Sequence, residues 1–292
     1  MTDNETLKKL VLGTAQFDPT YGFDAAKGQL ACENYSLKLI SQAWDAGINK
    51  IDTAPAYGAA HQVVKKYLLA NRGHCFSVTT KLKADVYSEI NEVRDLLSIN
   101  NSLDMTILLH REASIDEPET VSSISRLSDE FERVNWGVSL YNLKAAEKAL
   151  KIPGCAVIQI PFSVFNQDFL HSNFIEKAQG HGVKVVARSI FSLGAIFRPI
   201  SFFDNYPKPV KETLIVLHEF AAKFNVNLST LACQFVARTG KVDEIVVGVN
   251  TTGQLADIAQ IEFRKEMDDL FSFVVQQSKS WESSLFRPEL WK

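Results

Sequence analysis

The sequence predicts an α/β protein, a (β/α)8 barrel of the TIM type that forms a single domain over residues 1–292, and three observations lead to it. Eight short apolar runs alternate with segments of helical periodicity along the chain. Strict alternation of this kind requires parallel strands joined by right-handed crossovers. Eight such units within about 250 residues are what a closed barrel needs.

The elements follow one another in a regular order. Apolar runs rich in β-branched residues predict strands that begin near residues 10, 49, 75, 104, 134, 156, 184 and 244. Helical spacing predicts helices over residues 33–46, 59–70, 86–97, 117–131, 144–150, 168–179, 210–224, 228–238 and 254–261, with a further carboxyl-terminal helix and tail from about 264. An open doubly wound sheet is the alternative, but no G-x-G-x-x-G turn follows the first strand.

Composition excludes several classes of protein. The net charge of −3 lacks the basic excess that a nucleic-acid binder carries. The first residues contain no basic region followed by an apolar run, and no apolar stretch is long enough to span a membrane. Four widely spaced cysteines form no CxxC pair, which predicts reduced, mostly buried thiols in a cytoplasmic protein.

Polar side chains occur where the predicted strands end. Asp52 ends the second strand and Tyr57 lies in the loop after it, while Lys81 and His110 end the third and fourth strands. In a barrel all strand carboxyl ends face the same opening, so we expect these four groups to meet. Further around the same rim lie Ser139, Gln159, Arg188 and Ser189.

These four groups predict a specific chemistry. The Lys81 ammonium can lower the pKa of the Tyr57 phenol from its ordinary value of about 10. Asp52 can hold Lys81 charged, and His110 can orient a carbonyl oxygen that Tyr57 then protonates. No side chain supplies hydride, so a nicotinamide cofactor has to supply it.

Six segments carry a resemblance to a known family: LGTAQF (12–17), IDTAPAYG (51–58), TTK (79–81), LLH (108–110), GVS (137–139) and VIQIPF (157–162). In this order they resemble the aldo/keto reductase superfamily, over residues from about 10 to about 262. The resemblance implies an NAD(P)H-dependent enzyme that reduces aldehydes or ketones. It also implies a catalytic tetrad of Asp52, Tyr57, Lys81 and His110, with Ser139 and Gln159 holding the cofactor carboxamide.

The chain departs from the family pattern at three places. Leu140 replaces an asparagine after GVS, and Arg188 replaces the aromatic residue that stacks under the nicotinamide. A guanidinium can also stack on a ring. No cation occurs in residues 248–258, so NADPH is expected from the family alone, with NADH as the alternative. The predicted cofactor-binding residues are Gly13, Thr14, Ser139, Gln159, Arg188, Ser189, Gly248, Asn250, Gln254 and Asp257.

Two other functions stay open from the sequence. One is a Schiff-base aldolase or lyase that uses Lys81 as its nucleophile. The other is a cofactor-binding regulatory subunit with little turnover. The expected partner is a small carbonyl compound, for which Phe17, Tyr21 and Phe162 either line a pocket or belong to the core. The tail from Phe286 to Trp291 either closes this pocket or packs as an ordinary chain end, and the sequence does not indicate an oligomeric state.

Overall fold

Eight parallel strands close into a barrel in the order in which they occur along the chain. The computed structural model describes residues 4–18, 32–82, 86–99, 103–206, 208–261 and 264–279. The strands are β1 (Leu10–Gly13), β2 (Lys50–Asp52), β3 (Ser77–Leu82), β4 (Met105–Leu109), β5 (Val134–Ser139), β6 (Cys155–Pro161), β7 (Lys184–Arg188) and β8 (Glu244–Gly248). Pairing of β1 with β8 closes the barrel, which confirms the predicted fold.

Helices cover the outside of this barrel. They are α1 (Asn4–Lys9), α2 (Glu33–Asp45), α3 (Ala60–Ala70), α4 (Val86–Leu97), α5 (Pro118–Glu130), α6 (Leu143–Ala149), α7 (Asp168–His171), α8 (Phe174–Gly180), α9 (Lys208–Phe224), α10 (Leu228–Thr239), α11 (Thr252–Ala259) and α12 (Glu266–Ser278). Their apolar faces pack on the outward-facing residues of the strands to form the main hydrophobic core.

The strand register decides which residues face the inside. Paired residues on neighbouring parallel strands share a side of the sheet, and side chains alternate along each strand. A small apolar layer of Leu108, Val157 and Val186 fills the middle of the barrel. At the amino-terminal end the carboxylate of Glu244 pairs with Lys50 at 3.0 Å. The interior positions at the carboxyl end are left to polar residues, which form the site described below.

Some elements differ from those predicted. The predicted helix over 168–179 is two helices, because Asn173 adopts a left-handed conformation with φ of 55°. The apolar run from residue 10 stops being a strand after Gly13 and becomes a 3-10 turn over Ala15–Phe17. Helix α1 before the first strand is not predicted from the sequence.

The four cysteines differ in their exposure to solvent. Cys155 and Cys233 are buried, whereas Cys32 and Cys75 are exposed, so the expectation of mostly buried thiols is wrong for half of them. Burial raises the pKa of Cys155 to about 12, which keeps that thiol protonated.

Within the described ranges, none of the helices combines the length and apolar character needed to cross a bilayer.

Candidate active site

The register brings polar residues of five strands to the inside of the barrel at its carboxyl end. Asp52 pairs with Thr79 across β2 and β3, which places Lys81, two residues further on, on the same inner face. Ser139 pairs with Gln159 across β5 and β6. Arg188 pairs with Pro161 and so also faces inward. These residues form one layer above the apolar interior.

Three of the four predicted catalytic residues are in direct contact. The Lys81 amine donates hydrogen bonds to a carboxylate oxygen of Asp52 and, at 3.0 Å, to the Tyr57 hydroxyl. Asp52 and Lys81 are only 3% and 1% exposed. Burial acts to lower the pKa of Lys81, but Asp52 and Tyr57 raise it by more, so this pKa lies above its ordinary value. The amine is therefore held protonated away from water.

The Tyr57 phenol is also held in its protonated form. Burial raises the pKa of Tyr57 above its ordinary value, and the Lys81 ammonium acts in the opposite direction without cancelling this rise. The sequence-based expectation is thus right about the direction of the Lys81 effect and wrong about the net pKa. Desolvation of the phenolate outweighs its attraction to the ammonium.

His110 follows β4 at the same rim. Its backbone N–H donates to the Leu82 carbonyl at 2.8 Å, which continues the pairing of β3 and β4 by one residue. The His110 side chain is partly exposed. The residue comes directly after β4, which pairs with the strand that carries Lys81. The sequence-based prediction of its strand-end position is therefore met, and its role stays a prediction.

A row of hydrogen bonds continues from Asp52 across the barrel. The Gln159 amide donates to the second oxygen of Asp52 at 2.8 Å. The Ser139 hydroxyl donates to the Gln159 carbonyl oxygen at 3.0 Å, and Arg188 Nε donates to the Ser139 hydroxyl at 3.2 Å. Ser139 and Gln159 are fully buried. Gln159, which Ser139 holds in turn, thus fixes the Asp52 carboxylate, whereas the contact of Ser139 and Gln159 with a carboxamide stays a prediction.

Arg188 lies at the far end of this row. It also donates to the Ser189 hydroxyl at 3.3 Å and to the Leu140 carbonyl at 3.2 Å. Its guanidinium stacks 4.1 Å above the ring of Tyr141. The replacement of an aromatic residue by arginine on β7 is therefore accompanied by an aromatic ring supplied from the loop after β5.

Sequence reasoning did not single out Tyr141 or Glu112. The Glu112 carboxylate accepts hydrogen bonds from the backbone N–H groups of Tyr141 at 2.8 Å and Asn142 at 3.0 Å, and from the Asn142 side chain. This links the loop after β4 to the loop after β5. The one available signal was position, since Glu112 lies two residues after His110 and Tyr141 two residues after Ser139.

The predicted residues of β1 and β8 have structural roles. Thr14 donates to the Asp52 carbonyl with its backbone N–H at 2.9 Å and with its hydroxyl at 3.0 Å, which fixes the end of β2. A Cβ atom on Gly13 would lie 2.9 Å from the Val246 side chain. Gly248 is in close contact with the Gln16 amide, which a Cβ atom would approach to 1.9 Å. Packing alone accounts for both glycines.

The start of α11 lies directly after β8. Thr251 and Gln254 form a capping box, in which the Thr251 hydroxyl accepts from Gln254 N at 3.1 Å and the Gln254 side-chain oxygen accepts from Thr251 N at 3.3 Å. The same oxygen also accepts from Asn250 N at 2.7 Å. The side-chain oxygen of Gln254 is therefore already occupied in capping the helix. Asn250 and Asp257 are exposed. Their predicted contacts with a cofactor stay predictions.

The residues predicted to form a substrate pocket are only partly described. Phe162 is fully buried and packs on Phe235 of α10, with 5.9 Å between ring centroids, so it belongs to the core. Phe17 is 2% exposed and is also core. Tyr21 and the tail over residues 286–291 lie outside the described residues.

The fold and this layer of charged residues define the class of protein: a (β/α)8 barrel with a polar site at the carboxyl end of its strands, where enzymes of this fold carry out their chemistry. The sequence model of the Aldo/keto reductase family matches residues 9–271. The chain belongs to this family of oxidoreductases. A search of curated proteins found no match.

Solved structures of similar fold include three bacterial proteins. The aldo-keto reductase AKR11C1 from Bacillus halodurans, in its holo form, shares 20% identity with a TM-score of 0.73, covering 96% of this chain and 95% of that one. The glycerol dehydrogenase AKR11B4 from Gluconobacter oxydans shares 21% with a TM-score of 0.70, covering 92% and 91%. An aldo/keto reductase from Klebsiella pneumoniae, in complex with NADP and acetate, shares 18% with a TM-score of 0.64, covering 96% and 92%.

Proposed function

We propose that this chain reduces an aldehyde or ketone by hydride transfer from NADPH, with NADH as the alternative donor and Tyr57 as the general acid. The observation that carries the proposal is the buried Lys81 amine, which touches both Asp52 and the Tyr57 hydroxyl. A phenol beside a fixed ammonium can release its proton to an oxygen on which negative charge develops. The NADP in the Klebsiella pneumoniae protein supports the choice of cofactor.

Each residue of the contact has a separate task. The nicotinamide supplies hydride to the carbonyl carbon, a reaction that no side chain can carry out. Tyr57 gives its proton to the carbonyl oxygen, and Lys81 stabilises the phenolate that remains. Asp52 keeps Lys81 charged, and His110 holds the carbonyl oxygen in line with the phenol. In alcohol oxidation the same residues act in reverse.

The donors and acceptors at the carboxyl end fit a nicotinamide nucleotide. Ser139 and Gln159 have the hydroxyl and amide groups that hydrogen-bond a carboxamide. Helix α11 begins at the same rim, and the N–H groups at a helix start favour a phosphate. We assign Arg188 and Ser189 to the neighbourhood of the nicotinamide. The remaining predicted contacts, at Gly13, Thr14, Gly248, Asn250, Gln254 and Asp257, are kept as weaker parts of the proposal.

Replacement of Tyr57 by phenylalanine tests the proposal. Tyr57→Phe removes the proton donor and keeps the ring, so we expect turnover of a simple aldehyde with NADPH to fall by roughly a hundredfold or more. The dissociation constant for NADPH, measured by fluorescence titration, should change little. Tyr67→Phe is the matched control, because the Tyr67 hydroxyl bonds to His74 outside the site. Undiminished turnover in Tyr57→Phe would remove Tyr57 from its role.

The two alternative functions have their own tests. A Schiff base needs a neutral amine, whereas the pKa of Lys81, despite the lowering effect of burial, is raised by Asp52 and Tyr57. Borohydride treatment with a carbonyl substrate should therefore leave no covalent adduct on Lys81, and an adduct there would favour the lyase. Steady oxidation of NADPH by an aldehyde would exclude a regulatory subunit without turnover.

A further inference from the structure

We propose that Arg188 makes the site bind the reduced nicotinamide cofactor more tightly than the oxidised one, because its positive charge disfavours the cationic ring of the oxidised form. The inference rests on the proposed function and goes further, because it assigns to one side chain the choice between two redox forms of the cofactor. Three properties of Arg188 lead to this preference: its charge, the restraints that hold that charge in place, and its connection to the reacting groups.

Within the part of the chain that the structure describes, no ion pair neutralises the charge of Arg188. Its three hydrogen bonds go to the hydroxyls of Ser139 and Ser189 and to the Leu140 carbonyl, all of which are uncharged. Among the described residues, the structure pairs it with no carboxylate. Asp52 and Lys81 compensate each other. Of the described strand residues Asp52, Lys81 and Arg188, Arg188 thus contributes a positive charge that no carboxylate compensates.

This charge is also held in one place. The guanidinium is fixed by its hydrogen bonds on one side and by the Tyr141 ring, 4.1 Å away, on another. Tyr141 is itself held, because the Glu112 carboxylate binds its backbone N–H at 2.8 Å. A long arginine on a surface loses such an effect by moving into solvent, whereas Arg188 is partly buried and restrained on two sides.

The reacting ring must lie near this charge. Hydride passes to the carbon whose oxygen Tyr57 protonates, so the nicotinamide has to lie beside Tyr57. Arg188 is connected to Tyr57 through Ser139, Gln159, Asp52 and Lys81. Burial raises the pKa of Tyr57, and the positive charge of Arg188 acts weakly against this rise, in agreement with its place in the same polar layer.

Reduced and oxidised cofactors differ in charge at the ring alone. The dihydronicotinamide is neutral and becomes a cation when it gives up hydride, while the phosphates and the adenosine are the same in both forms. The ratio of the two dissociation constants therefore isolates the interaction with the ring. One fixed charge in the same layer as the ring, in a partly solvated site, corresponds to a preference on the order of tenfold.

Equilibrium binding tests this inference without turnover. Dissociation constants for NADPH and NADP⁺ are measured by isothermal titration calorimetry for the wild type, Arg188→Gln and Arg188→Lys. We expect the wild type to bind NADPH more tightly, Arg188→Gln to reduce this preference on the order of tenfold, and Arg188→Lys to keep most of it. Arg133→Gln, which removes a surface guanidinium paired with Asp104 at 2.8 Å, should leave the ratio unchanged.

Three other outcomes are distinguishable. If the ratio of the two dissociation constants is the same in the wild type and in Arg188→Gln, the inference is overturned. This holds even if both forms of the cofactor bind more weakly to the variant, because Arg188 would then contact the cofactor without distinguishing its charge. A ratio lost in Arg188→Lys as strongly as in Arg188→Gln would also overturn it. If neither NADPH and NADP⁺ nor NADH and NAD⁺ bind to the folded wild type, the proposed function itself fails.

Discussion

Lys81 keeps its charge in a place that water does not reach. An isolated ammonium would lose its proton there, since burial favours the neutral amine. The Asp52 carboxylate compensates the charge, and Gln159 satisfies the second oxygen of that carboxylate at 2.8 Å. A buried ion pair of this kind contributes little stability in itself. Removal of one partner is nevertheless destabilising, because it leaves the other charge buried without compensation.

Removal of the Lys81 charge should therefore destabilise the fold as well as stop turnover. Lys81→Met keeps the length of the side chain and leaves Asp52 without its cation, so we expect a loss of about 3–5 kcal/mol in the free energy of unfolding. Urea denaturation followed by circular dichroism measures it. Lys148→Met, which breaks an exposed pair with Asp116, should cost no more than about 1 kcal/mol. Equal effects of the two variants would contradict the account.

The pH dependence of reduction follows from the state of Tyr57. Burial raises the pKa of this phenol above its ordinary value, so its proton is present throughout the neutral range and is lost only at higher pH. We expect kcat/KM for reduction to be flat through neutral pH and to fall only at alkaline pH, above the range in which an ordinary phenol ionises. Oxidation of the alcohol should rise over the same range. A single ionisation near pH 7 that abolishes reduction would assign the proton to another group.

Helix boundaries show where sequence patterns stop being sufficient. The strands and most helices were predictable, because short apolar runs and helical spacing reflect which face is buried. The division of the predicted helix over 168–179 was not, since no glycine or proline interrupts it. Asn173 takes the left-handed conformation instead, which asparagine tolerates better than most residues. Helix α5 begins at Pro118, one residue later than the predicted helix over 117–131, and Glu117 is the residue before it.

The capping box of α11 connects the stability of one helix with cofactor binding. Thr251→Ala removes the acceptor for Gln254 N, so we expect a loss of about 1 kcal/mol in unfolding free energy. The N–H groups at this end lose their fixed arrangement, and the dissociation constant for NADPH should rise several-fold. Thr251→Ser keeps the hydroxyl and is the matched control. Unchanged affinity in a destabilised Thr251→Ala would place the phosphate elsewhere.

Closure of the barrel depends on close approach of β5 and β6. The register shifts between Trp136 and Gly137, and a Cβ atom on Gly137 would lie 1.9 Å from the Val157 carbonyl oxygen. Neither strand can move far without disturbing Ser139 and Gln159, which follow two residues later on each strand. The glycine of the GVS segment therefore has a packing reason as well as its resemblance to the family.

Gly137→Ala should accordingly be among the most damaging single-methyl changes in the chain. We expect the clash with the Val157 backbone to cost at least about 3 kcal/mol, measured by thermal or urea unfolding. Gly180→Ala is the comparison, because a Cβ atom there has no neighbour within 4 Å and the residue ends a helix. That change should be neutral or slightly stabilising, by about 0.5–1 kcal/mol. A stable Gly137→Ala would mean that the two strands are further apart.

The site as a whole was predictable in position and less so in its connections. Alternating strands and helices indicate a closed barrel, and closure indicates that strand ends meet, which was enough to propose Asp52, Tyr57 and Lys81 together. The bond between Gln159 and Asp52 joins residues 107 positions apart in the sequence. It depends on the register of five strands and on the barrel interior, neither of which periodicity reveals.

The row of side chains from Tyr57 to Arg188 has a consequence for how relatives of this chain diverge. Each member occupies the donor or acceptor of the next, so a substitution in the middle leaves two neighbours without their partners. We therefore expect related sequences either to keep all of these residues or to replace them together. In relatives that carry an aromatic residue on the seventh strand, we expect the residue at the position of Tyr141 to differ in the same lineage.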